Sequence, residues 1–106
     1  MRTWIARHRA ADRIFTVIAN GDTYLPALLL DEAADVRAGT AGAIAPLKAA
    51  GLDAWALWVW FTTPSPWLDG QRPADLLANG DTDRLAAAAH AQASNVAEPT
   101  AARDVA

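Results

Sequence analysis

The chain has 106 residues, a formal net charge of −3 and no cysteine. This length fits one domain, and the lack of cysteine excludes a disulfide framework and a thiolate zinc site. No segment reaches the ~20 apolar residues of a membrane span, and no apolar stretch follows the first arginines as in a secretory signal. We therefore expect a cytoplasmic protein of one domain that does not associate with membranes.

Residues 1–12 form a basic N-terminal segment, in which Trp4, Ile5 and His8 have the spacing of a short helix. The first 13 residues contain four arginines: Arg2, Arg7, Arg9 and Arg13. Four arginines are too few to predict a nucleic-acid site, and the acidic remainder of the chain disfavours phosphate binding. Nucleic acid is therefore not an expected partner of this chain alone.

Residues 13–31 have the pattern of a β-hairpin. A first strand rich in β-branched residues leads to Asn20-Gly21, the strongest short signal for a hairpin turn. A second strand is predicted from Thr23 through Leu30. Pro26 interrupts its hydrogen bonding, so this strand should be an edge strand or should contain a bulge.

Short helices are predicted over residues 40–93, which together with the hairpin would form a single domain from residue 13 to residue 93. Thr40 can cap the first helix, but Pro46 favours a start nearer Ala45 because proline is tolerated mainly in a first turn. Two later helices are expected, one beginning at Pro73 and one running from Thr82 to about Ala93. Residues 94–106 have little to bury and are expected to form a mobile tail.

The segment between these helices, residues 54–61, is apolar on every side (Ala-Trp-Ala-Leu-Trp-Val-Trp-Phe). Periodicity does not distinguish a buried strand from a buried helix here, but Asp53 as a cap and the alanines favour a helix. Trp55 and Trp58 are spaced i, i+3 and are expected in the core. Trp60 and Trp67 are more open to contact with a partner.

The residues that could support catalysis are few and have simpler explanations. His8 and His90 lack a metal-ligand partner at helical spacing, and Asp81 and Asp83 suit the N-terminus of a helix. No glycine-rich phosphate loop or nucleophile-elbow string occurs. The sequence therefore predicts a protein that is not an enzyme and has no catalytic, cofactor-binding or metal site.

Residues 61–77, Phe-Thr-Thr-Pro-Ser-Pro-Trp-Leu-Asp-Gly-Gln-Arg-Pro-Ala-Asp-Leu-Leu, resemble the C-terminal toxin-binding domain of the MbcA/ParS/Xre antitoxin family. The family pattern is an apolar helix, Pro-Asn-Pro, a leucine, a glycine and Pro-x-x-Leu-Leu. The matching positions, which are expected to have structural roles, are Pro64, Pro66, Leu68, Gly70, Pro73, Leu76 and Leu77. Ser65 stands where the family has asparagine. The resemblance covers about residues 52–93, and residues 1–12 are too short for the helix-turn-helix domain that family members usually carry.

The resemblance implies an antitoxin. Family members commonly pair with a RES-domain toxin that uses or consumes NAD, and their C-terminal region commonly covers the toxin's active site. This chain would then neutralise such a toxin and perform no NAD chemistry itself. The residues expected on the partner surface are Trp60, Trp67, Leu68, Gln71, Arg72 and Asp75. The helix that begins at Thr82 is expected to lie beside this surface, and Arg72 could form a bidentate pair with a carboxylate.

Two other functions stay open at this point. One is a self-associating structural or scaffold protein whose tryptophan-rich helix packs against its own copy, because a small core without disulfides is often completed by another chain. The other is a DNA-associated regulator that uses the basic N-terminus. For all three functions, the antitoxin included, the expected fold is α+β and mostly α, with a small N-terminal hairpin followed by a compact group of four to five short helices.

Overall fold

The computed structural model, which describes residues 2–97, confirms an α+β fold that is mostly helical. A basic helix precedes one strand pair, and four helices follow it. In chain order the elements are α1 (Arg2–Ala10), β1 (Val17–Ala19), β2 (Asp22–Tyr24), α2 (Thr40–Ala49), α3 (Ala54–Thr62), α4 (Pro73–Asn79) and α5 (Thr82–Ala97). Two short 3-10 turns, Ala27–Leu29 and Pro66–Leu68, connect these elements.

The hairpin forms at the predicted turn but is shorter than predicted. The strands β1 and β2 are antiparallel, with Val17 opposite Tyr24, and the positive φ angles of Asn20 and Gly21 close the turn. The prediction that the second strand runs to Leu30 is wrong. After Pro26, which has no N–H for a ladder, the chain forms a 3-10 turn that buries Leu29 completely.

Helix α2 begins at Thr40 and contains Pro46 in its interior, so the predicted start nearer Ala45 is wrong. Thr40 is itself a buried helical residue, and Gly39 is the N-cap. An interior proline costs about 3 kcal/mol, but α2 packs along α5, where the side chains of Ile44 and Leu47 are fully buried. Tertiary packing therefore outweighs the local preference.

Helix α5 provides the other side of this contact. Its buried residues are Leu85, Ala88 and Ala89, and the small side chains allow α2 to approach closely. The helix continues to Ala97, so the predicted end near Ala93 is wrong by about a turn. The rest of the predicted tail, residues 98–106, lies outside the described residues.

Helix α3 has the predicted cap, because the Asp53 carboxylate accepts a hydrogen bond from the Ala56 N–H at 2.9 Å. Leu57, Trp60 and Phe61 share the i, i+3, i+4 spacing of one helical face, and all three are buried. Trp55 faces the other way and is 50% exposed. The expectation that Trp55 belongs to the core is therefore wrong, whereas Trp58 is half-buried against the core.

Replacing Asp53 with alanine is expected to lower the free energy of unfolding by about 1 kcal/mol, because one N–H in the first turn of α3 loses its acceptor. Asp53→Asn is the matched control, since it keeps a side-chain oxygen at the same place. Urea unfolding followed by tryptophan fluorescence measures both variants. Equal losses in the two variants would contradict a capping role.

Candidate protein-binding surface

The segment between α3 and α4 folds into a turn organised around Ser65. The buried Ser65 hydroxyl accepts a hydrogen bond from the Trp67 N–H at 3.2 Å. The Ser65 carbonyl accepts from the N–H groups of Leu68 and Gly70, at 3.1 and 3.0 Å, and the Ser65 N–H donates to the Gln71 carbonyl at 3.0 Å. Serine and asparagine are both good caps, so Ser65 can serve where the resembling family has asparagine.

This turn presents Trp67 on the surface in a defined orientation. The indole is 47% exposed, and its Nε1–H donates to the side-chain oxygen of Gln92 on α5 at 3.3 Å. The backbone of Trp67 is held by Ser65 and its ring by Gln92. An exposed aromatic side chain fixed at both ends is a suitable anchor for a partner protein, because little conformational freedom is lost on binding.

Arg72 and Asp75 form a pair within the chain at the start of α4. The Arg72 Nε and Nη2 atoms donate to the two carboxylate oxygens of Asp75 at 3.2 and 3.0 Å. The hydrogen bonds and negative charge of Asp75 raise the pKa of Arg72 above its ordinary value. The predicted bidentate pair therefore exists, and its carboxylate is that of Asp75 in this chain.

Arg84 links α5 to this turn, a role that was not predicted from the sequence. Its Nη2 donates to the side-chain oxygen of Gln71 at 3.3 Å, and its Nη1 donates to Asp81 at 3.2 Å. A cavity of about 210 Å³ lies between Arg84 and Trp67, with alanines of α5 in its wall. The prediction that the helix from Thr82 lies beside the candidate surface is therefore confirmed. We define the Trp67 surface as Trp67, Gln71, Arg72, Asp75, Arg84 and Gln92.

Two of the residues predicted on the partner surface are buried instead. Trp60 is 9% exposed and packs edge-on against Phe61, with ring centroids 5.0 Å apart. Leu68 is 1% exposed, because the 3-10 turn directs it into the core while it presents Trp67 outward. Both side chains contribute mainly to the core. The burial of Trp60 could not be predicted from the sequence, because the residues around it are apolar on every side of the helix.

The motif positions divide into buried and exposed groups. Pro73, Leu76 and Leu77 are buried, and Pro73 begins α4 as predicted. Pro64 and Pro66 are exposed and follow the end of α3. The buried group therefore packs α4 into the core, whereas the two prolines lie on the surface of the segment between α3 and α4.

Within residues 2–97 the structure contains no group of three or more His, Asp or Glu side chains placed to share a metal ion. His8 has structural contacts: its ring lies 4.4 Å from that of Trp4, and its Nδ1 accepts from Arg13 Nε at 2.8 Å. His90 is exposed. The same part of the chain has no helix with the length and apolar character that crossing a membrane requires.

Comparisons of the chain with protein-family models, with curated proteins and with solved structures give no match.

Proposed function

We propose that this chain is a cytoplasmic antitoxin-like module that acts by binding, not by catalysis, and that its partner is a RES-type toxin. The observation that carries the proposal is the half-exposed Trp67 indole, held on a hydrogen-bonded turn between Ser65 and Gln92. The turn lies within residues 61–77, the segment that resembles the toxin-binding domain of the MbcA/ParS/Xre antitoxins.

The composition of the Trp67 surface supports protein binding. Interfaces combine an aromatic anchor with a polar rim. Arg84 lines the same cavity as Trp67 and donates to Gln71, and the Arg72–Asp75 pair follows Gln71 in the chain. These side chains bond to one another or to a neighbouring element, so a partner meets a surface that is already ordered. In this proposal the surface covers the active site of the toxin and blocks access of NAD.

Co-expression tests the proposal. The chain, carrying an affinity tag, is expressed with the product of the adjacent reading frame, and the captured material is sized. We expect a complex of defined stoichiometry. The neighbouring protein expressed alone should stop growth and lower cellular NAD, and the chain should restore both. A neighbour that is harmless when expressed alone, or that does not bind the chain, would contradict the proposal.

A further inference from the structure

A second apolar surface lies along the side of α3 on which Trp55 and Val59 are exposed. One groove, of about 460 Å³, runs between α3 and the segment that follows it. A second, of about 360 Å³, runs between α3 and the hairpin. Trp55 lines both grooves, which makes them one continuous surface. We define the Trp55 face as Tyr24, Trp55, Trp58, Val59, Pro64 and Pro66.

The charge distribution favours a particular occupant of this face. Among the residues that the structure describes, none that lines the two grooves is charged, although the chain has 12 acidic and 9 basic residues. Two copies of an acidic chain repel each other, and the repulsion is smallest where they meet through an uncharged surface. The Trp55 face can therefore lie against its own copy without opposing like charges.

The shape of the face also suits a second copy. Trp55 is 50% exposed and Val59 is 56% exposed, and their i, i+4 spacing places them side by side as a ridge along α3. Trp55 and Val59 line the 460 Å³ groove together with Pro64 and Pro66, so the groove lies directly beside this ridge. A twofold contact requires one surface to carry both the projection and the recess. Here the ridge of each copy can enter the groove of the other.

We propose that the Trp55 face binds a second copy of this chain in a twofold dimer that is weak and depends on concentration. An aromatic side chain presents roughly 150–250 Å², so the exposed halves of Trp55 and Tyr24 contribute roughly 75–125 Å² each. With Val59 and the two prolines, the sum stays below the about 800 Å² per partner of a standard stable interface.

The dimer is independent of the toxin-binding proposal. The Trp55 face and the Trp67 surface meet at Gln92, which lines the larger groove and bonds Trp67.

Sedimentation equilibrium of the full chain from about 5 to about 500 µM tests the dimer, because a small interface associates in this range. We expect the mass to rise from the 11.2 kDa of one chain toward twice that value. Val59→Asp should weaken association at least tenfold, because it places a charge on the uncharged ridge. Ile18→Asp is the matched control: Ile18 is 65% exposed and lies on the face of the hairpin away from Val17 and Tyr24. Circular dichroism confirms that both variants fold.

Cross-linking provides a second measurement. Because the chain has no cysteine, one introduced cysteine is the only thiol that can react. Val59→Cys should be linked into dimers by a short bis-maleimide, whereas Glu32→Cys, exposed in the loop before α2, should not. A wild-type mass that stays at one chain throughout, or equal association of the Val59→Asp and Ile18→Asp variants, would overturn the proposal. If the chain stays monomeric and Val59→Asp instead weakens toxin capture, the face belongs to the toxin.

Discussion

Replacing Trp67 with alanine is expected to weaken binding to the proposed toxin partner by about 2–4 kcal/mol, which is about 30- to 700-fold in Kd. Binding would bury the exposed half of an indole whose backbone and Nε1 are already held by Ser65 and Gln92. Such an anchor gains contact area without losing much conformational freedom. Titration calorimetry on the purified complex partners measures the change.

Trp55→Ala is the matched control for this experiment, because Trp55 is exposed to a similar extent, 50% against 47% for Trp67, and lies on the other surface. We expect the Trp55 variant to bind the proposed toxin partner within a few-fold of the wild-type chain. Trp67→Phe should fall between the wild type and alanine, because it keeps the apolar ring and loses the hydrogen bond to Gln92. Similar losses for Trp67→Ala and Trp55→Ala would contradict the assignment of the partner surface.

The parts of the fold that were predicted correctly depend on interactions within a few residues. Asn20-Gly21 closes the hairpin, Asp53 caps α3 and Pro73 begins α4. Each of these signals acts through the backbone of its own turn, so the sequence contains the whole interaction. The exposure of Trp67 could also be predicted from the sequence, because a tryptophan in a proline-rich turn has few positions in which it can be buried.

The errors arose where packing between distant segments decides the outcome. Pro46 lies inside α2 because α2 is buried against α5, and the residues around Pro46 in the sequence give no sign of that contact. On α3, Trp55 and Trp60 have similar surroundings in the sequence, and only the position of the core distinguishes them. Gln92 and Arg84 belong to the candidate surface because of hydrogen bonds between distant residues. Gln92 bonds Trp67, which is 25 residues away in the sequence, and Arg84 bonds Gln71, which is 13 residues away.

The close approach of the N-termini of α2 and α5 leads to the largest expected change in stability. Gly39 precedes α2 with φ of +91°, and a Cβ at this position would lie 2.5 Å from Thr82 Cγ2 and 3.0 Å from Thr82 Cβ. Gly39→Ala therefore combines backbone strain of about 1–2 kcal/mol with overpacking of about 1–3 kcal/mol. We expect the free energy of unfolding in urea to fall by about 2–5 kcal/mol.

Two further variants separate the strain from the steric contact. Gly21 has a similar φ of +82°, but a Cβ added there would have no described neighbour within 4 Å, so Gly21→Ala should lose only the backbone part, about 1–2 kcal/mol. Adding Thr82→Ser to Gly39→Ala removes the Cγ2 methyl group and should restore about 1 kcal/mol or more. If Gly39→Ala and Gly21→Ala lose the same stability and Thr82→Ser restores none, the helix N-termini are not in tight contact. If the double variant recovers as expected, Gly39 is required because α2 and α5 meet there, which is the contact that also allows Pro46 inside α2.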